Sequence, residues 1–343
     1  MAVEERPPPG LTVREATAED NDALISLELE SPLLVGDVEE TFDRSPDFFA
    51  SHRVLPDHRI VLAEVAGRVA GAMVGVVHTP IIQGQPQRLV YIRQARVHPD
   101  FHSRRVAWLL ANDLFAWARA RGARGPYYLI LPENRRSLAF VERGGGRWPV
   151  DVALLEFDVS KAPGRKAQRV PEKRLREAVS LINATHDGED FFEPLALESL
   201  AARLGRDGGY GIDNLYGVFE GRSLVAVAGL WDKGATTEQI HVDRTTGVTA
   251  RSRSAAVADW GWAPGRREAF AELLRCLAAE ARRLGRSTLT ICEPSPGLPA
   301  AKAGALPDPG LPGHRVAVSL FTPALQPPPA GSIRGLYVDM LYV

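Results

Sequence analysis

The chain is poor in cysteine. Only Cys276 and Cys292 occur in 343 residues, and neither has a neighbour at metal-ligand spacing. This excludes a disulfide framework and a cysteine zinc site, and it fits a reducing, cytoplasmic setting. No run of 18 apolar residues occurs, so no helical membrane span is expected. The opening MAVEERPPPG is charged and then Pro-rich, without the basic start and apolar stretch of a secretory leader. There is no excess charge of either sign. A net charge of −1 offers nucleic acid or an acidic membrane no general attraction. The eight histidines are scattered. No HExxH helix and no G-x-S-x-G elbow appears, so no metal is expected.

What is present reads as a globular chain with two halves. One hydrophobic core rarely exceeds about 250–300 residues, so 343 residues suggest two domains. The first half alternates strands and helices. Leu11–Ala16 reads as a strand, and Thr17 opens a capping-box-like start for a helix to Glu30. Val38–His52 reads as a second helix. Arg59–Val65 and Val69–Val77 flank the turn Ala66-Gly67-Arg68 as a hairpin. Arg88–Val97 is a strand. Ser103–Arg121 is a long helix, with Val106, Leu109, Leu110, Leu114 and Trp117 at helical spacing and Gly122 past its end. Pro126–Leu131 is a strand, Asn134–Arg143 a short helix, and Val152–Val159 a last strand.

The segment 161–173 has linker composition. Beyond it the plan recurs: a helix at Leu175–Ala184, a hairpin around Gly221, a helix at Arg267–Arg283, Gly285, and a strand at Ser287–Ile291. Gly67 and Gly221 are 154 residues apart, and Gly122 and Gly285 are 163 apart. Two markers at nearly one offset point to a duplication. The expected fold is α/β with mixed sheets: domains 11–160 and 174–343, each a mostly antiparallel sheet flanked by helices.

The chemistry concentrates in VHPDFHSRRVAWLL (97–110). A strand ends at Val97, a Pro-containing turn follows, and a helix begins with unpaired first-turn amides. Such a turn presents N–H groups and the positive end of a helix dipole to an anion. His102, Arg104 and Arg105 add cationic character, and a diphosphate is the natural guest.

In these residues the chain resembles the GNAT acyltransferase superfamily, along nearly all of 11–159. The family's coenzyme A motif is a Val-x-Pro turn followed by Q/R-x-x-G-x-G/A. Val97 and Pro99 match, and the core here is His102-Ser103-Arg104-Arg105-Val106-Ala107. The family's later Asn-x-x-Ala motif has its counterpart in Asn134, Ser137, Phe140-Val141, Arg143 and Gly145-Gly146. The resemblance implies an acyl-CoA, most simply acetyl-CoA, on Arg96, Val97, His102–Ala107 and Asn134, with backbone amides near Arg96 and Val97 polarising the thioester. It implies transfer to a small-molecule amine. The two-copy plan is similar to that of mycothiol synthase, but there the catalytic copy is C-terminal, so its substrate is not carried over.

Three positions depart from the pattern. The loop's middle Gly is Arg105, which either contacts phosphate or obstructs it. The family's general-acid Tyr is Val141. The strand-borne acid is missing from 88–97, where Tyr91 stands instead. Glu133 reads either as an amine-proton acceptor or as a helix N-terminal charge. Tyr91 reads either as a proton donor or as a core aromatic. His98 sits in what reads as an exposed turn, and Tyr127 and Tyr128 read as packing on opposite faces. Acidic residues at Asp37, Glu39, Glu40 and Asp43 suit a cationic acceptor or a solvated helix face. ADWGWAPGRREAFAELL (258–274) lacks the loop spacing and reads either as a degenerate copy or as a divergent anion site at Gly265–Arg267 on a helix N-terminus. A non-catalytic acyl-CoA-binding or scaffolding protein, or a GNAT-fold enzyme with another acyl donor, are the alternatives. Oligomeric state is not legible.

Overall fold

The computed structural model describes residues 8–102, 105–145, 150–164, 167–294, 306–321 and 336–341. The first half runs β1 (Leu11–Glu15), α1 (Asn21–Glu30), β2 (Leu33–Val35), β3 (Val38–Asp43), β4 (His58–Val65), β5 (Arg68–His78), β6 (Ile81–Ile82) and β7 (Gln85–Pro86). It continues with β8 (Leu89–Val97), α2 (Val106–Ala120), β9 (Pro126–Ile130), α3 (Arg135–Arg143) and β10 (Val150–Asp158). The second half runs β11 (Gln168–Arg169), α4 (Leu175–His186), α5 (Leu197–Leu204), β12 (Leu215–Glu220), β13 (Ser223–Trp231), β14 (Glu238–Asp243) and β15 (Thr249–Ser252). It ends with β16 (Ser254–Trp262), α6 (Arg267–Arg283), β17 (Thr288–Pro294) and β18 (Gly313–Phe321).

Period-2 alternation decides which side chains go to which face. Val61, Met73, Val90 and Tyr128 pack under α2, whose Val106, Leu110, Leu114 and Trp117 form its buried stripe. Their chain neighbours Leu62, Val74, Tyr91 and Tyr127 join the core on the other face, with Leu24 and Leu27 of α1. Tyr127 and Tyr128 face oppositely as alternation requires, but both are buried, one in each core, so neither faces outward. Gly71 lets β5 approach closely. A Cβ there would stand 2.7 Å from the Arg96 carbonyl oxygen and 3.0 Å from Val106 Cγ1.

Twelve strands form one sheet in the order β1-β4-β5-β8-β9-β18-β10-β17-β16-β13-β12-β11. Followed inward from both ends, the order is palindromic. β4 matches β12, β5 matches β13, β8 matches β16 and β9 matches β17. Gly67, Gly122, Gly221 and Gly285, the repeat markers, all take the left-handed conformation. At the centre the halves exchange strands: β18 pairs with β9, and β10 lies between β18 and β17. A smaller sheet, β15-β14-β3-β2, joins the halves a second time.

Two readings are corrected. Val38–His52 is not a helix. Val38–Asp43 is β3, paired antiparallel with β14 from Asp43↔Glu238 to Val38↔Asp243. Its partner lies some two hundred residues away, and cross-strand pairing overrides local propensity. His98 is buried, not exposed. Its Nε2 lies 2.9 Å from Glu30 Oε2, and its Nδ1 accepts from the Asp100 amide at the start of the turn Pro99–Phe101.

Candidate functional site

β8 and β9 run parallel but pair only over Val90–Ile92 and Pro126–Tyr128. On its other edge β9 stays paired with β18 from Tyr128 to Ile130. β8 bends away through a bulge, because its register against β5 shifts between Val74↔Arg93 and Ala72↔Arg96. Gln94 takes φ 49 there. The two strands therefore open into a V, one arm carrying residues 93–97 and the other 129–131. A bulge ends pairing and redirects side chains in this way.

A left-handed Gln is strained, and surrounding contacts hold it. With its amide oriented to satisfy both ends, Gln94 donates to His52 Nε2 and accepts from Arg44 and Arg93. His52 is buried, and burial together with Arg44 and Arg93 depresses its pKa well below the usual range. The neutral ring then donates Nδ1–H to the Phe48 carbonyl at 3.1 Å. Beneath it, Arg44 Nη1 donates to Glu28 Oε2 at 2.9 Å, and Arg96 Nε lies 3.7 Å from the same oxygen. The Phe42 ring lies 5.3 Å from the Arg44 guanidinium and 5.5 Å from that of Arg96. Burial lowers Arg93 to about 10. Lys233, from the second half, falls to about 8 through burial and the nearby Arg93 and Arg44.

At the end of the first arm, His102 Nε2 lies 2.9 Å from the Val97 carbonyl oxygen and 3.3 Å from Arg136 Nη1. Burial and Arg136 lower its pKa, so the ring is neutral near pH 7. Arg105 is the N-cap of α2 with φ 58 and ψ 11, the conformation glycine supplies most easily. Its side chain is exposed. Helical residues begin at Val106, three later than the spacing predicts. Val106 is buried against β5 and Ala107 is half-buried. The first-turn amides of α2 have no partner within the helix and face the turn. Ser103, Arg104 and Gly146 lie outside the described residues.

The remaining sequence candidates fall on both sides of the V. Arg96 puts its side chain into the buried cluster, so only its backbone, with that of Val97, is available to a ligand. Tyr91 is buried and stacks on Tyr127 with ring centroids 4.9 Å apart. Burial pushes its phenol up to about 12, so it keeps its proton. Asn134 caps α3, its Oδ1 accepting from the Ser137 amide at 3.1 Å. Glu133 is exposed just before that cap. Val141 is buried on α3. In the acidic segment, Glu40 meets His241 Nε2 at 3.2 Å across the β3–β14 pair. Sequence reading missed Glu28, Arg44, His52, Gln94 and Lys233. It also missed Glu193, which lies 3.3 Å from His78 Nδ1, while His78 Nε2 lies 2.7 Å from Tyr127 Oη. No local motif links these residues; sheet register brings them together.

The second half repeats the V. β16 and β17 pair only over Ser254–Ala256 and Thr288–Thr290, and β16 has its own left-handed bulge residue, Asp259 at φ 45. Two things differ. Four residues (263–266) connect β16 to α6, against eight (98–105) between β8 and α2. Asp259 is also locked: Arg203 Nη1 donates to its Oδ1 at 2.5 Å and to Asp339 Oδ2 at 2.8 Å, and Tyr210 donates to its Oδ2 at 2.7 Å. Among the described residues no three His, Cys, Asp or Glu side chains form a metal-binding group, and no helix is long and apolar enough to cross a membrane.

A parallel strand pair that diverges at a bulge, beside a helix N-terminus, is the architecture of a GNAT domain. Residues 22–146 match the model of the acetyltransferase (GNAT) family, so the first half carries a GNAT domain. The fold is similar to that of Saccharomyces cerevisiae N-myristoyltransferase solved with bound myristoyl-CoA, with TM-score 0.66 and 10% identity over 99% of this chain and 92% of that one. It is also similar to the GCN5-related N-acetyltransferase of Sphaerobacter thermophilus, with TM-score 0.52 and 14% identity over 92% and 96%. A third similar structure is the glucosamine N-acetyltransferase region of a fungal multi-domain β-N-acetylglucosaminidase, with TM-score 0.59 and 13% identity over 92% of this chain and 38% of that one. No curated protein matches the chain in sequence. At these identities the structural likeness speaks for the fold alone.

Proposed function

We propose that this chain is an acyl-CoA-dependent N-acyltransferase, with acetyl-CoA as donor and a small-molecule amine as acceptor. The observation that carries the reading is the V between β8 and β9, set above the α2 N-terminus. The turn 102–107 supplies amides and cationic side chains to a diphosphate. The unpaired arms of the V offer backbone hydrogen bonds to an amide-bearing arm, and the amides near Arg96 and Val97 face the thioester carbonyl. Asn134 orders α3 beside the same opening.

The amine attacks the thioester carbon, the C–S bond breaks, and the thiolate leaves with a proton. Positioning and carbonyl polarisation supply much of the rate in such a site. Tyr91, which keeps its proton, acts as a donor, and Glu133 stands at the rim as a proton acceptor. In this reading residues 11–160 form the catalytic unit, 161–173 the linker and 174–343 a degenerate partner. The shortened β16–α6 connection supports that division. Two buried cysteines suit a cytoplasmic location.

A second reading, an acyl-CoA-binding protein without turnover, draws on Val141 standing where a proton-donating Tyr would. Calorimetric titration with acetyl-CoA, followed by a thiol-release screen of amines, separates the two. Micromolar binding with amine-dependent thiol release supports the transferase. Binding with no release under any amine supports the second reading, and absence of binding refutes both.

A further inference from the structure

On the face of the sheet opposite α2, a narrow recess lies between the halves. Tyr127 of β9 and His78 of β5 line it from the first half, and Asp259 and Arg203 from the second. Glu193 and Asp339 complete its polar lining. Three carboxylates thus face one guanidinium. Burial, with Asp339 close by, raises Asp259, yet even with Asp259 protonated the lining keeps a net negative charge. The rest of the lining is largely aromatic. Phe191 lies 5.5 Å from the Tyr127 ring, and Phe192 lies 5.1 Å from Tyr337. Negative charge together with aromatic faces selects a cation. The recess is too narrow for a ring and admits a headgroup of ammonium size.

Its position relates it to the V. Tyr127 is in register with Tyr91 and stacks on it, and the pairing of the two strands ends at the following residue. Tyr127 Oη lies 2.7 Å from His78 Nε2, and His78 Nδ1 lies 3.3 Å from Glu193 Oε2. Burial alone would raise the Glu193 carboxyl, but His78 and the Thr79 amide outweigh it and hold it below the usual range. The carboxylate therefore favours Nδ1–H and leaves Nε2 to accept from the phenol.

We infer that this recess holds the ammonium head of the acyl acceptor, and that Tyr127, backed by His78 and Glu193, rather than Glu133 at the rim, removes its proton. The inference rests on the acyltransferase reading for its acyl donor. The ammonium passes one proton to Tyr127 Oη as the phenol passes its own to His78 Nε2. The products are a neutral amine and an imidazolium paired with Glu193, with Tyr127 restored. The amine lone pair then forms the C–N bond in the V, the C–S bond breaks, and the nitrogen's remaining excess proton goes to the departing thiolate, leaving amide and free thiol. Tyr127 is the group that touches substrate; His78 and Glu193 are positioning residues.

The test uses the full chain and a probe series of n-alkylamines from propylamine to octylamine, each matched with the alcohol and the carboxylate of the same length. Binding is read by calorimetry with and without coenzyme A. Amines are expected to bind at least about tenfold tighter than matched alcohols, and Glu193→Gln to remove most of that preference. In thiol release with acetyl-CoA, Tyr127→Phe is expected to lower kcat about a hundredfold at pH 7. That loss should shrink as pH rises toward the amine's own pKa, because solvent then supplies the free base. A packing role for the phenol would give no such recovery. The ionisable groups facing Tyr127 and His78 are Glu193, Arg203, Asp259, Asp339 and Tyr337, so Asp339→Asn is run as a second charge variant should Tyr127→Phe fail to fold. Equal affinity for amines and alcohols, preference for carboxylates, or no amine binding in either condition overturns the inference. Failure of acetyl-CoA itself to bind refutes the acyltransferase reading, while the amine arm still decides the recess.

Discussion

Arg105 is where the chain departs most sharply from a phosphate-binding loop, and its conformation makes the consequence calculable. Its φ of 58 is left-handed. A residue with a Cβ pays about 1–2 kcal/mol there, and glycine does not. Glycine in turn loses about 0.5–1 kcal/mol through the entropy of the unfolded chain. It also caps a helix somewhat better than a non-capping side chain. Arg105→Gly is therefore expected to stabilise the protein by about 0.5–1 kcal/mol, a rise in Tm of about 1–3 °C for a chain of this size. The same change has a second, opposite effect. The amide framework already has the geometry that glycine would give it, and the Arg105 side chain is exposed rather than folded into the turn. Its removal should cost one charge-assisted contact, weakening acetyl-CoA binding by about fivefold, with a smaller dependence on salt. Arg105→Ala keeps the strain but loses the charge, so it should bind like the glycine variant and melt like the natural protein. Thermal unfolding and calorimetry on the three proteins check this. A fall in Tm on Arg105→Gly, or tighter binding by that variant, would refute the reasoning.

Three further outcomes are expected. Asn134→Ala should cost about 1 kcal/mol in denaturant unfolding through loss of the cap to Ser137, whereas Asn134→Asp should retain most of it. Gly71→Ala forces a Cβ to 2.7 Å from the Arg96 carbonyl, so it should cost about 1–3 kcal/mol and weaken acetyl-CoA binding as β5, β8 and α2 are pushed apart; unchanged stability would contradict the packing described. Asp20 has its pKa lowered to about 2, first by its hydrogen bonds from Arg14, against an unfolded value of about 3.9. A depressed carboxylate stabilises the fold above the unfolded value, and that contribution is lost as pH falls from about 4 toward 2. Asp20→Asn should flatten the stability profile in that window, measured by denaturation between pH 2 and 5.

Much of the fold is legible because it is local. Val106, Leu110, Leu114 and Trp117 announce α2 at helical spacing, and the same four side chains are buried. The turns at Gly67 and Gly221 and the helix ends at Gly122 and Gly285 need left-handed residues, and glycine marks them. These repeated markers also disclose the duplication. The strand–turn–helix step after Val97 is visible for the same reason, since a strand end, a proline and a helix start lie within a few consecutive residues. The misreadings have the opposite character. Nothing within VEETFD says that β14 will pair with it, and nothing beside His98 says that Glu30 and Arg68 will enclose it.

The sequence by itself determined most of the first half's elements, the glycine-marked repeat and the strand–turn–helix step after Val97, because each depends on the backbone preferences and polarity of residues close along the chain. Only the tertiary structure decided that β10 and β18 change places at the centre of one sheet. Both strands are paired on both sides, so their neighbours are chosen by the closure of the whole sheet. Tertiary structure also decided that the second half's bulge would be locked by Arg203. It brought Glu193, His78 and Tyr127 into line across 49 and 115 residues of chain, because hydrogen-bond geometry between side chains follows strand register, which no local segment encodes.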